Sequence, residues 1–168
     1  MTYEETGNSG ANPPGSLIMH PRYSSIAFSR DEASGGGKAH VTRSRVLIVE
    51  DDFLIASDME AALTEAGIEV AGVAASAEEA LRLADAATPA LAVMDIRLAG
   101  KRDGIDAALE LFARHGIRCV FATAHQDENT RTRAQPAHPL AWVPKPYAMA
   151  SLVEVVQKAL QNRDRNGQ

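Results

Sequence analysis

Short runs of wholly apolar residues, Val46-Leu47-Ile48-Val49 and Ala90 to Met94, alternate along this chain with segments whose apolar residues recur at helical spacing. That alternation limits the fold more than any other feature. A strand apolar on both sides must be covered on both faces, and helices threaded between such strands provide the cover while making the strands parallel. The first apolar run is followed by Ile55, Met59, Ala62, Leu63 and Ala66 on one helical face, with Gly67 as a stop, a helix of about 13 residues. A strand over 69–74 comes next. Ser76 and Glu79 have capping-box spacing and open a second helix running to Ala87, stopped by Thr88-Pro89. After the strand that ends at Asp95, a loop over 96–103 leads to Ile105, Ala108, Leu109 and Phe112, again one helical face, closed by Gly116. A strand over 118–122, a short helix over 127–134 limited by Pro136 and Pro139, and a brief strand over 141–143 follow. Leu152, Val155, Val156, Ala159 and Leu160 then mark an amphipathic last helix reaching Asn162.

Five strands alternating with five helices predict an α/β fold, a doubly wound five-stranded parallel sheet covered on both faces, with right-handed crossovers. At 168 residues and 45% apolar content the chain suits one core of ordinary size. Residues 1–43 differ from the rest, holding Pro13-Pro14, Gly35-Gly36-Gly37 and half of the glycines. They read as a disordered leader, and a translation start placed too early is an equally good origin for them. The expected organisation is a leader over 1–43, a compact domain over 44–162 and a disordered tail over 163–168.

The formal charge of −5 falls entirely after residue 44, where 18 acids face 13 bases. No Lys/Arg run long enough to follow a phosphate backbone is present, which argues against direct nucleic-acid binding. No stretch approaches the roughly 20 apolar residues of a membrane span, and the N-terminus lacks the basic-then-apolar pattern of a secretory signal. A cytoplasmic location is expected by default. The lone cysteine, Cys119, lies in an apolar run and reads as a buried thiol.

In open parallel sheets the functional crevice lies beyond the carboxyl ends of the strands. Glu50-Asp51-Asp52 end the first strand, Asp95 the third, Thr123 the fourth, and Lys145 follows the fifth. Several carboxylates converging on one edge repel one another unless a cation neutralises them, and the hard ion expected among carboxylate oxygens is Mg2+. Acids for a cation, one carboxylate free to attack, a hydroxyl and an ammonium together meet the needs of phosphoryl transfer.

Over about residues 44–162 the chain resembles the receiver domain of two-component response regulators, which has a flavodoxin-like (βα)5 fold. Val49-Glu50-Asp51-Asp52, Met94-Asp95, Ala122-Thr123-Ala124 and Lys145-Pro146-Tyr147 occur in the family's order, each at a predicted strand end. The resemblance implies that Asp95 is the phosphoacceptor, Asp51 a direct Mg2+ ligand with Glu50 as its acidic companion, and the backbone carbonyl of Arg97 a further ligand. It implies that Lys145 pairs with the phosphoryl group, that the Lys145–Pro146 bond is cis, and that Thr123 and Trp142 form the switch. Asp52 is expected to cap the first helix. The phosphoryl donor would be a sensor histidine kinase or a histidine phosphotransfer protein, and the output a changed protein-binding surface or onward relay of phosphate. With six residues after Asn162, no output domain is expected on the chain, and no catalysis beyond its own phosphorylation and dephosphorylation.

Some features depart from the commonest receivers. Leu98 to Gly104 replaces a shorter Met-Pro-Gly turn and carries two bases, and Pro136 and Pro139 imply an irregular fourth helix. Phe121-Ala122-Thr123 opens like a Phe-Ala-Thr-Gly-x-Tyr subgroup of stand-alone receivers, while Ala124 and His125 break the match. His125 and Arg97 stand where they can influence water access to Asp95, although an exposed loop histidine is the plainer reading of His125. Three rivals are weaker. A hydrolase of haloacid-dehalogenase type wants an acid two residues after its nucleophile, where this chain has Arg97. A flavin or nucleotide site wants a phosphate-binding loop after the first strand, where Glu50-Asp51-Asp52 would repel phosphate. A degenerate, scaffold-only receiver would not keep every chemical position filled.

Overall fold

The structure, a computed structural model, describes residues 44–124 and 127–166. The leader expected over 1–43 and the histidine at 125 lie outside the described residues. Five strands, β1 (Arg45–Val49), β2 (Glu69–Ala74), β3 (Leu91–Met94), β4 (Arg118–Thr123) and β5 (Ala141–Pro144), form one sheet in the order β2-β1-β3-β4-β5. All four pairings are parallel. The order reverses between β1 and β3, so the helices following these two strands leave for opposite faces and open a crevice above their carboxyl ends.

The two faces divide each strand by alternation. Leu47, Val49, Ala92, Met94, Cys119 and Phe121 pack on one side with α2 (Ala77–Ala87), α3 (Gly104–His115) and Ala134 of α4 (Glu128–Ala134). Val46, Ile48, Leu91, Val93, Val120 and Ala122 pack on the other with α1 (Phe53–Glu65) and α5 (Met149–Asn166). Both faces of β1 and β3 are therefore buried, which explains their unbroken apolar sequence. Cys119 is fully buried, and burial pushes its thiol up to about 12, so it stays protonated.

The helix ends obey local chemistry. Asp52 accepts from the N–H groups of Leu54 and Ile55 and so caps α1, while Gly67 at φ 78° and Gly116 at φ 66° supply left-handed residues after α1 and α3. Ser76 caps α2 through Glu79 N–H at 3.2 Å, but the Glu79 carboxylate accepts from Ala75 N–H at 3.0 Å, one residue earlier than a capping box requires. In α3 the buried residue of the last turns is Leu111, with Leu109 and Phe112 only partly covered. Short α4 gives way to a 3-10 turn at Gln135–Ala137 containing Pro136, the irregular element that the two prolines imply.

One boundary is corrected. The tail expected from residue 163 is helical through Asn166, since α5 continues past its last apolar contact with Arg163 and Arg165 in its final turn, where cations suit the helix dipole. Among the described residues no helix is long and apolar enough to cross a membrane.

Candidate functional site

Parallel strands of nearly equal height deliver their terminal residues to one edge. Val49 of β1 is in register with Met94 of β3, which sets Glu50 beside Asp95, and Asp95 N–H donates to the Val49 carbonyl at 2.9 Å. Carboxylate oxygens of Glu50, Asp51 and Asp95 all lie within 4.8 Å of one another. Glu50 and Asp95 are buried and Asp51 is exposed, so the cluster has an enclosed floor and an open rim.

Lys145 reaches the cluster from beyond β5. Its Nζ donates to Glu50 Oε2 and to Asp95 Oδ2, each at 2.7 Å. Its side chain is 20% exposed, against 2% for Glu50 and 10% for Asp95, so both ion pairs are shielded from water. Burial alone would lower the lysine's pKa, but hydrogen bonds to Asp95 and Glu50 outweigh it and hold the ammonium above its ordinary value. Desolvation moves Glu50 the other way, raising its carboxyl above the usual range despite Lys145, and the Asp95 charge adds to the rise. Three carboxylates against one ammonium leave a formal charge of −2 on the cluster. A divalent cation neutralises that excess, and an all-carboxylate donor set suits a hard ion such as Mg2+.

Arg97 N–H donates to Asp95 Oδ1 at 3.3 Å, so the loop after β3 folds back on the carboxylate. Thr123 ends β4 fully buried, its carbonyl accepting from Lys145 N–H at 3.0 Å. The Lys145–Pro146 bond is cis. Trp142 stands on β5 away from the acids, stacked on Phe121 with centroids 4.7 Å apart, and the Arg131 guanidinium lies 4.9 Å from its ring centre. Glu50, Asp51, Asp95, Arg97, Thr123 and Lys145 are thus brought to one edge, and Trp142 to the flank beside α4.

Four neighbours were given no role by the sequence. A Cβ on Gly104 would come within 1.9 Å of the Asp95 backbone oxygen, so the start of α3 packs against the acid with no room for a side chain. Gly104 at the first turn of a helix was the available signal. Tyr147 packs on the α1–α5 core, its hydroxyl buried without a hydrogen-bond partner among the described residues, and burial pushes it up to about 12. Phe53 and Leu54, 78% and 72% exposed, stand on the first turn of α1 next to the acids. Their place directly after Asp52 was readable, but not their outward direction.

Comparison with known proteins adds to this geometry. Residues 46–157 match the family model of the response regulator receiver domain. The chain belongs to that family. The receiver is 36% identical over 116 residues to the transcriptional regulatory protein PdtaR of Mycobacterium tuberculosis, covering 69% of this chain and 56% of that protein. It is 35% identical over 146 residues to the phyllosphere-induced regulator PhyR of Methylorubrum extorquens, covering 86% of this chain and 53% of PhyR. The chain therefore spans about half the length of these relatives. Among solved structures, the receiver domain of a modulated diguanylate cyclase from Desulfovibrio desulfuricans superposes with a TM-score of 0.66 at 34% identity, over 73% of this chain and 97% of that one. A CheY-like receiver protein from Methanospirillum hungatei superposes with a TM-score of 0.68 at 26% identity, over 73% and 98%. The receiver fold is thus shared over the domain, and the acidic edge lies inside the matched region.

Proposed function

We propose that this receiver takes a phosphoryl group on Asp95, in a Mg2+-dependent reaction, from a sensor histidine kinase or a histidine phosphotransfer protein. The observation that carries the reading is Lys145 Nζ seated at 2.7 Å from both Glu50 and Asp95, with Asp51 completing the acidic cluster. A buried ammonium shared by two carboxylates is costly to keep for packing alone, whereas phosphoryl transfer uses each of these groups.

Glu50, Asp51 and Asp95, with the Arg97 carbonyl, would hold the ion, which when bound screens charge on the phosphoryl oxygens. An Asp95 carboxylate oxygen attacks phosphorus as the P–N bond of the phosphohistidine breaks, and the electron pair stays with the imidazole nitrogen. The Lys145 ammonium, already 2.7 Å from Asp95 Oδ2, pairs with the charge of the incoming phosphoryl oxygens. The Thr123 hydroxyl donates to a phosphoryl oxygen. A phosphoryl group adds roughly −1.5 to −2 of charge, enough to bias packings a few kcal/mol apart, and Thr123 and Trp142 would report it to the α4–β5 flank. The chain would catalyse only its own phosphorylation and dephosphorylation, act in the cytoplasm without touching nucleic acid, and pass the signal to a protein target or a second histidine.

Incubation with Mg2+ and acetyl phosphate tests the reading. Wild type should give a phosphorylated species on a phosphate-affinity gel, and Asp95→Asn or omission of Mg2+ should abolish it. An unmodified wild type would favour a scaffold instead, and an equally modified Asp95→Asn would place the phosphoryl group on another residue and overturn the reading of Asp95. Return of phosphate from Asp95 to a histidine partner would mark a relay, and loss only to water an effector.

A further inference from the structure

The loop after β3 is tied into one knot at both of its ends. At its start Arg97 N–H holds Asp95 Oδ1, and at its end Gly104 N–H donates to the Ile96 carbonyl at 2.8 Å while the Gly104 Cα leaves no space against the Asp95 backbone. Asp103, just before Gly104, caps α3, its Oδ1 accepting from Ile105 and Asp106 N–H groups at 3.0 Å each. The same carboxylate receives a fork from α4: Arg133 Nη1 lies 2.8 Å from Asp103 Oδ2 and Nη2 lies 3.2 Å from Asp103 Oδ1. Arg133 Nη2 also reaches Asp106 Oδ1 at 3.3 Å. Between the loop and the first turn of α4 a cleft of about 440 Å³ opens, with Leu98, Lys101 and Thr130 on its walls. The fork therefore bridges two elements that stand apart beside it.

We propose that Arg133 is a positioning residue that couples the state of Asp95 to α4 through the loop after β3. This coupling rests on the reading of Asp95 as phosphoacceptor and follows a different path from Thr123 and Trp142. Exposed ion pairs contribute little as a rule, but a two-pronged guanidinium on a carboxylate already fixed by two backbone donors loses little freedom on pairing and constrains direction as well as distance. A group added to Asp95 competes for the Arg97 N–H, shifts the loop against Gly104, and moves Asp103. Arg133 follows its carboxylate and carries the last turn of α4 with it.

The test loads the full chain with Mg2+ and beryllofluoride, reads occupancy of Asp95 by fluorine NMR, and reads α4 by amide hydrogen exchange over 128–134. In wild type, loading should change α4 exchange about five-fold or more. In Arg133→Gln, unloaded α4 should exchange faster than in wild type, occupancy of Asp95 should persist, and the response of α4 to loading should disappear. Arg133→Lys, with a charge but no fork, should restore part of the response. A fully loaded Arg133→Gln whose α4 responds as wild type does would overturn the coupling and leave the phosphoacceptor reading intact. Wild type that takes no beryllofluoride would bring down both.

Discussion

Gly104 and Asp95 meet backbone to backbone, and the contact sets how closely α3 can approach the acidic edge. Gly104→Ala forces a Cβ onto a carbonyl oxygen, which cannot turn aside as a flexible side chain would. Overpacking of this kind costs about 1–3 kcal/mol, so the variant should unfold at correspondingly lower urea and bind Mg2+ more weakly as Asp95 is pushed off its place. Urea unfolding with and without Mg2+ measures both effects, and unchanged values in both would refute the constraint. At this scale the sequence was readable where a residue's role follows from its position at a strand end. Asp51, Asp95, Thr123 and Lys145 sit where parallel strands must deliver them. Contacts made across 95 positions of chain, such as Lys145 with Glu50, were not readable, and neither was the ban on a Cβ at Gly104, because both depend on how far one element leans over another.

Among the elements, α3 is held at its start by one carboxylate, Asp103. Desolvation would raise the Asp103 pKa, but Arg133 and the N–H groups of Asp106 and Ile105 hold it below the ordinary carboxylate value of 3.8. A carboxyl depressed by folding stabilises the fold fully above its unfolded pKa, and that contribution drains away as pH falls through the folded value. Asp103→Ala should therefore cost about 1 kcal/mol or somewhat more at pH 7, as lost caps do, with the gap from wild type narrowing below pH 3.8. Unfolding curves over a pH series decide it, and a gap constant into the acid range would show that the charge is not what matters. Helix positions were legible from periodicity and stop residues. Partners were less so: Glu79 bonds one residue earlier than its spacing suggested, Leu111 took the buried place, and α5 outran its apolar pattern because a charged last turn needs no core to stay helical.

For the whole molecule, the uncompensated −2 at the acidic edge is a standing cost that a divalent ion relieves. Anything that binds only the folded state stabilises it by mass action, about 1.4 kcal/mol at ten times the dissociation constant. Mg2+ should raise the melting temperature of wild type progressively, chelation should reverse the gain, and Asp51→Asn should blunt it. A melting temperature indifferent to Mg2+ would argue that Lys145 alone satisfies the acids. The sheet order was legible only as a short set of topologies, since alternating strands and helices dictate parallel, right-handed winding without saying which strand lies central.

The sheet's β5 margin has a consequence of its own. That strand is four residues long and finishes in Pro144, which has no amide hydrogen to offer. A foreign chain laid along its outer side would find few donors and a ring in the way, so the margin is blunted against ribbon growth from one molecule to the next.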